Sequence, residues 1–246
     1  MTPAAAFDRI AARYDELWTS TATGSAQRSL VWRNVDTLFH PGERLLDIGC
    51  GTGADAAHFS ARGITVHATD CSPAMAQAAR QRGGFPVSVR SAEDIDAVGE
   101  IYDGAISNFG ALNCVADLAV VVRSLATVVR PGGRVAICTI GRFCAWEMLY
   151  YAIRLQFGKA FRRRRGSASS SLGLAIHYPS VTHLASAFAP EFTLQRWMGI
   201  GLLVPPSYLR LPDLLVRLFG LLDRVFARLP LLRALADHRL LILVRK

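Results

Sequence analysis

The chain has 246 residues, 51% of them hydrophobic and 19% charged, with a formal net charge of +9. That is enough apolar sequence to bury a sizeable core in one domain. No apolar run reaches the roughly 18 to 20 uncharged residues that a membrane span requires, and Asp8, Arg9, Arg13, Asp15 and Glu16 interrupt any signal-peptide pattern, so a cytoplasmic location is expected. Cys50, Cys71, Cys114, Cys138 and Cys144 are odd in number and show no Cys-x-x-Cys spacing, which speaks against a disulfide framework and a zinc site; no metal is expected.

Residues 26 to 39 read as a helix leading into Pro41-Gly42. Next comes Leu45-Leu46-Asp47-Ile48-Gly49-Cys50-Gly51-Thr52-Gly53, a buried strand carrying a carboxylate and then glycines at alternate positions. Glycine supplies the angles of a tight strand-to-helix turn and puts no Cβ between the main chain and a ligand. The spacing is neither the Gly-x-Gly-x-x-Gly of a dinucleotide fold nor the Gly-Lys-Ser/Thr of a P-loop. An acid beside such a loop suits a ligand with an ammonium group and no phosphate, and S-adenosylmethionine is such a ligand. Ala54 to Arg62 is helical in pattern, Gly63 stops it, and Ile64 to Thr69 is a second strand. Asp70 then stands at the end of a β-α-β unit, where a carboxylate can accept both hydroxyls of a ribose. Ser72-Pro73 opens the next helix as N-cap and first-turn proline. Val87-Ser88-Val89 is a third strand, Tyr102 to Ser107 a fourth, Leu118 to Val129 a helix, and Arg134 to Thr139 a fifth strand entered through Pro131-Gly132-Gly133.

Further motifs accompany the glycine loop in order: Ala11-Ala12-Arg13-Tyr14-Asp15, Asp70-Cys71-Ser72-Pro73-Ala74-Met75, Ser91-Ala92-Glu93-Asp94, Tyr102-Asp103-Gly104-Ala105-Ile106-Ser107-Asn108 and Arg130-Pro131-Gly132-Gly133. Over about residues 5 to 140 the chain resembles the class I S-adenosylmethionine-dependent methyltransferases, in particular the small-molecule group that includes the quinone-biosynthesis enzymes. The resemblance implies an α/β, Rossmann-like methyltransferase fold whose seven-stranded sheet is mostly parallel with an antiparallel strand seven. Val181 to Phe188 as a helix, Phe192 to Ile200 as strand six and Arg239 to Val244 as strand seven fit that completion. Within one domain, 1–246, two insertions remain, 142–179 and 201–237, expected to form a helical lid and to set the substrate.

The resemblance also implies roles. Asp47 and the loop of Gly49, Cys50, Gly51 and Gly53 hold the methionine part of S-adenosylmethionine, with Tyr14 closing over it. Asp70 takes the ribose, while Cys71, Ser91, Ala92 and Glu93 surround the adenine; many relatives carry an acid where Ser91 stands. Asn108 faces the sulfonium and the acceptor. His177-Tyr178, at the junction of the first insertion with the next helix, is the candidate catalytic pair, since histidine titrates near neutrality and suits a general base. His40, His58, His67 and His238 lie on or beside core elements and are expected to be structural.

Charge is uneven. Residues 1–141 carry 12 arginines against 14 carboxylates, and 142–246 carry 16 basic against 5 acidic side chains. The first insertion reads as an apolar helix, Phe143 to Phe157, then Arg162-Arg163-Arg164-Arg165, then a mobile serine-rich piece, Gly166 to Ser171. The basic run reads first as a solvated loop, with contact to phosphates of anionic lipid or nucleic acid as the alternative. The second insertion reads as a helix from Tyr208 to Leu229 with Leu214, Leu215, Leu218, Leu222, Val225, Phe226 and Leu229 on one face and Arg210, Arg217, Arg224 and Arg228 on or near another. A lid packed on the first insertion is the preferred reading, and an interfacial helix that gives the protein a peripheral membrane contact is the other.

The function expected is methyl transfer from S-adenosylmethionine to a lipophilic small-molecule acceptor, a quinone precursor or secondary metabolite, with O-methylation favoured. A nucleic-acid partner is not expected, because Ser107-Asn108-Phe109-Gly110 stands where enzymes acting on base amino groups carry Asn/Asp-Pro-Pro-Tyr/Phe. The rival readings are a nucleic-acid methyltransferase and a non-catalytic cofactor-binding module.

Overall fold

The computed structural model describes residues 1–209 and 211–246; Arg210, read above onto the face of the second-insertion helix, lies outside them. In chain order the main elements are α1 (Pro3–Asp8), α2 (Ala22–Val35), β1 (Arg44–Ile48), α3 (Ala54–Ser60), β2 (Thr65–Asp70), α4 (Pro73–Arg82), β3 (Val87–Val89) and β4 (Tyr102–Ser107). They continue with α5 (Leu118–Val128), β5 (Val129–Ile140), α6 (Ala145–Ile153), α7 (Phe157–Ala160), β6 (Ser167–Ser169), β7 (Ala175–His177), α8 (Val181–Phe188), β8 (Phe192–Ile200), α9 (Asp213–Phe226) and β9 (His238–Arg245).

A seven-stranded sheet runs β3-β2-β1-β4-β5-β9-β8. β1 to β5 pair in parallel, and β9 runs antiparallel to both β5 and β8. Strands covered on both faces are apolar at successive positions: Leu45 enters the core with Leu30, Val31 and Phe59, while Leu46 enters the opposite core with Val121, Val122 and Phe188. The chain order reverses between β1 and β4, the switch point where the carboxyl ends of parallel strands leave a crevice. Ile200, His238 and Ile140 are register partners at that same edge, so the segments 142–179 and 201–237 both depart from beside the crevice.

Several boundaries move for local reasons. α2 starts at Ala22, not at residue 26, because the hydroxyl of Thr21 accepts the Gly24 N–H at 3.0 Å and caps it. β5 begins at Val129, and Pro131-Gly132-Gly133 is absorbed in an irregularity opposite Tyr102 and Gly104. Phe143 to Phe157 divides into α6 and α7 around Leu155, whose φ is 56°. α9 starts at Asp213, since Pro212 precedes it and a helix from Tyr208 would carry that proline in its interior. The serine-rich piece is not a loose loop: Ser167–Ser169 pairs with Ala175–His177 in a hairpin.

The arginine run is partly internal, which corrects the solvated reading for Arg162 and Arg163, while Arg164 and Arg165 are exposed. Arg162 and Arg163 lie in a 3₁₀ turn, and Arg163, 7% exposed, is directed inward. Arg162 Nε donates to Glu147 Oε1 at 2.8 Å, Arg163 Nη2 to Glu147 Oε2 at 2.7 Å, and Arg163 Nη1 to Asp237 Oδ1 at 2.9 Å. Tyr208 Oη donates to Glu147 Oε2 at 2.9 Å. This buried network ties the two insertions together. α9 meanwhile packs on α2 through Val216 and Phe219, with Gly220 close to Ala26.

Candidate functional site

A cavity of about 450 Å³ opens at the switch point. Gly49, with φ 69°, starts its floor, and a Cβ there would come within 2.3 Å of Ala111 Cβ. Gly53, with φ 79°, opens α3, and a Cβ there would meet Phe85 and Ala79 at about 3 Å. Both positions need glycine for conformation and for space. The loop between them is held by hydrogen bonds: Gly49 N and Cys50 N donate to Thr69 O at 2.8 and 2.9 Å, and Gly51 N donates to Asp70 Oδ2 at 2.9 Å. Asp70 Oδ1 accepts Ser72 N at 2.8 Å. Burial raises the Asp70 pKa against these amides, which lower it. A carboxylate has about four lone-pair sites, so Asp70 retains acceptor capacity where it lines the cavity.

Behind Asn108 and Phe109, which line the cavity, lie several buried charges. The Arg28 guanidinium pairs with Asp55, which also accepts Trp32 Nε1 at 2.7 Å and Asn108 Nδ2 at 3.2 Å. The same guanidinium lies beside the edge-to-face pair of Trp18 and Phe109, at 4.9 and 5.0 Å from their ring centres. Asp47 is 1% exposed, and its pKa is held well above the usual carboxylate range by burial first and by the Asp55 charge second. Asp47 Oδ2 and Arg28 Nε are both buried without a hydrogen-bond partner in the protein. A buried unpaired acceptor and donor each cost free energy unless a ligand satisfies them. An amino acid, with an ammonium and a carboxylate, supplies one partner of each kind, so the residues present fit the methionine end of S-adenosylmethionine.

The segment before α2 is fixed over this floor. Asp15 accepts Thr52 Oγ1 at 2.6 Å and pairs with Arg82, which pins Tyr14 above Gly51, its Cε1 being 3.8 Å from where a Cβ would stand. Burial pushes the Tyr14 hydroxyl up to about 12, so it acts as a neutral donor. α1 forms the roof: Thr2, Pro3, Ala4 and Phe7 line the cavity, and Asp8 accepts Ser72 Oγ at 2.6 Å and Ala74 N at 3.0 Å.

Of the residues expected from the sequence, Tyr14, Gly49, Gly51, Asp70, Cys71, Ser91, Ala92, Glu93 and Asn108 line the cavity. Asp47, Cys50 and Gly53 lie behind it, in the turn that shapes it. His177 does not line it; its carbonyl accepts Asn113 Nδ2 at 2.5 Å, and Asn113 is a buried residue of the Ala111–Cys114 turn. Tyr178 is buried with Ala6, Leu174 and Ile176, and the Arg163 guanidinium lies 5.6 Å from its ring. No described residue of 142–179 or 201–237 lines the cavity. The roof over this cavity is therefore α1 and not the expected insertion lid. Its residues, together with Arg28, were missed by sequence reasoning. Phe109 has φ 50°, a conformation that sequence does not announce, and Arg28 is a single arginine within a helix.

The family model described as "Methyltransferase domain" matches residues 11–199. The chain is 32% identical over 135 residues to the demethylmenaquinone methyltransferase of Corynebacterium kroppenstedtii, covering 54% of this chain and 57% of that protein. It is 34% identical over 139 residues to the malonyl-[acyl-carrier protein] O-methyltransferase of Serratia marcescens, covering 56% and 52%. It thus spans little more than half the length of these curated relatives. Among solved structures, an S-adenosylmethionine-dependent methyltransferase from Thermotoga maritima superposes with a TM-score of 0.63 at 17% identity, covering 99% of each chain.

Proposed function

Since this chain belongs to the methyltransferase domain family, whose cofactor is S-adenosylmethionine, we propose that it methylates a lipophilic small molecule, a quinone precursor or secondary metabolite, with oxygen as the favoured acceptor atom. The observation that carries the cofactor half is the pair of unpartnered buried atoms, Asp47 Oδ2 and Arg28 Nε, beside a glycine loop. The acceptor half is supported by the apolar side chains that share the cavity with Asn108, namely Phe7, Met75, Phe109, Ala111 and Val115, and by the small-molecule and acyl-carrier acceptors in the names of the relatives.

When bound, the cofactor supplies an activated methyl group on a sulfonium. The chain supplies position and exclusion of water. Asp47 and Arg28 hold the amino-acid end and Asp70 the ribose, with Cys71, Ser91, Ala92 and Glu93 around the adenine. The strained Phe109, fixed by its own N–H to Asn108 Oδ1 at 3.0 Å and by the Arg28 cation on its ring, presents a rigid wall to the acceptor. Alignment of this kind accounts for much of the rate in a transfer whose donor is already activated. We assign His177 to positioning, through its carbonyl on Asn113, and Tyr178 to support of the roof; a base role for the His177 ring is tested below.

The deciding experiment is transfer from labelled S-adenosylmethionine to cell extracts separated by polarity. Label is expected in a small product from the apolar fractions. Label appearing only in RNA, or in no fraction, overturns the reading in favour of a nucleic-acid enzyme or a binding module respectively.

A further inference from the structure

α9 has three faces. Val216, Phe219 and Asp223 turn inward, against α2 and the 202–204 turn, where Asp223 accepts Leu203 N at 2.8 Å and Val204 N at 3.1 Å. Arg217 and Arg224, with Arg228 in the turn that follows, form a row along one flank at helical spacing. Opposite the inward face stand Leu214, Leu218, Leu221 and Val225, 79%, 47%, 51% and 62% exposed. A helix that serves only to cover a core carries polar side chains there. The expected apolar face therefore exists, but Leu214, Leu218 and Val225 on it are directed away from the protein, and α9 meets the first insertion at Phe219, whose ring centre lies 6.2 Å from that of Trp146.

The surface continues beyond the helix. An apolar groove of about 380 Å³, lined by Trp146, Leu149, Leu203, Phe226, Leu232 and Leu235, joins α9 to α6, and Ile153, Leu155 and Phe157 stand exposed further along. The basic flank ends in a cleft of about 370 Å³ in which Arg33, Arg196 and Arg228 converge around Asn34. Arg228 Nη2 reaches Asn34 Oδ1 at 2.7 Å and Arg196 Nη2 reaches Asn34 O at 3.4 Å. None of the described residues lining this cleft is acidic. Of the carboxylates after residue 141, Glu147, Asp223 and Asp237 are buried, and Asp213, exposed one turn before Arg217, is the one acid that α9 presents, so this side of the molecule keeps an excess of arginine beside its leucines.

We propose that this face docks on an anionic phospholipid bilayer, with α9 in the interface plane, its leucines in the acyl boundary and the arginine row and cleft on lipid phosphates. The occupant must supply apolar depth and anions side by side. A second copy of the chain brings leucines but sets arginine against arginine, and a soluble anion fills only the cleft. A bilayer of acidic lipid supplies both. The docking is argued from the surface alone and goes beyond the methyl-transfer reading.

The test is sedimentation of the full chain with phosphatidylcholine vesicles, with and without phosphatidylglycerol. Two variants accompany the wild type: Leu218→Ser/Leu221→Ser/Val225→Ser, and Arg217→Gln/Arg224→Gln/Arg228→Gln. All six side chains are at the surface, and equal binding of S-adenosylhomocysteine by all three proteins separates this question from the cofactor site. The wild type is expected to bind phosphatidylglycerol vesicles and to be released by sodium chloride, with inorganic phosphate at the same ionic strength releasing no more than chloride does, and with each variant weaker by about tenfold or more. Absence of wild-type binding at low salt, or equal binding by the leucine variant, overturns the proposal. A wild-type dimer in light scattering that the leucine variant abolishes, with no vesicle binding by either, assigns the face to a second copy and likewise overturns it.

Discussion

Arg163 and Glu147 form an ion pair at 2.7 Å inside the protein, and the same guanidinium reaches Asp237 at 2.9 Å. The pair joins the turn after α7 to α6, and Asp237 carries the link to the start of β9. Removing one partner of a buried pair leaves an uncompensated charge, which typically costs about 3 to 5 kcal/mol. Glu147→Ala is expected to lower stability by that order in urea unfolding. Arg163→Met in the same background should deepen the loss, because it strips buried Asp237 of its partner as well; a recovery of stability would mean that the Arg163–Asp237 pair contributes nothing.

Asp70→Asn removes the charge and one of the two oxygens that accept Gly51 N and Ser72 N. If Asp70 receives ribose hydroxyls beside the amides of Gly51 and Ser72, charged hydrogen bonds worth roughly 1.5 to 3 kcal/mol are weakened, and affinity falls by about tenfold to a hundredfold. Calorimetry with S-adenosylhomocysteine reads this directly, and an affinity unchanged from wild type rejects the ribose assignment.

His177→Ala separates alignment from base catalysis. With the ring outside the cavity, single-turnover transfer should retain most of its rate and its pH profile. A positioned base contributes about 100- to 10,000-fold; a loss of that size, accompanied by disappearance of a titration near neutrality, would restore His177 as the base.

Asp223 provides a pH test of stability. Burial raises its pKa from 3.8 to about 6, against the amides of Leu203, Val204 and Leu202, which lower it. Because the folded-state value is raised, the stability it contributes is fully present below the unfolded pKa and is lost as pH rises through about 6. The shift corresponds to about 3 kcal/mol. Between about pH 3 and pH 8, round limits that bracket both pKa values, wild type should lose about that much relative to Asp223→Asn; parallel curves in urea titrations would contradict the assignment.

The strands and the glycine loop were legible because their signals are local. Alternation, proline, glycine and caps act within a few residues, and Val87–Val89 and Tyr102–Ser107 fall where the sequence places them. Asp70 and Asn108 were legible because a parallel sheet delivers strand ends to one edge. What failed was long-range. Nothing near Arg163 in sequence shows that Glu147, Asp237 and Tyr208 meet it, so a run of arginines reads as solvated. Nor does the periodicity of α9 say which of two apolar faces is inward: Val216 and Phe219 suffice for the core once Gly220 brings the helix close to α2. α1 as roof depends on one carboxylate, Asp8, that resembles any surface acid in the sequence.

The antiparallel partner of β5 has a consequence for assembly. Arg134 pairs with Val244 and Ile140 with His238, so the open side of β5 waits for a strand about a hundred residues further along the chain, and β8 waits for the same strand about forty residues beyond its own end. The cofactor half can form from residues that precede β6, yet until His238–Arg245 arrives one edge of its parallel sheet is unpaired and able to recruit another chain. Folding should therefore show a late, slow phase reported by Trp197 on β8, after the Asp47 turn has gained protection from hydrogen exchange. Substitutions in β9 should act more on yield and aggregation than on affinity for the cofactor.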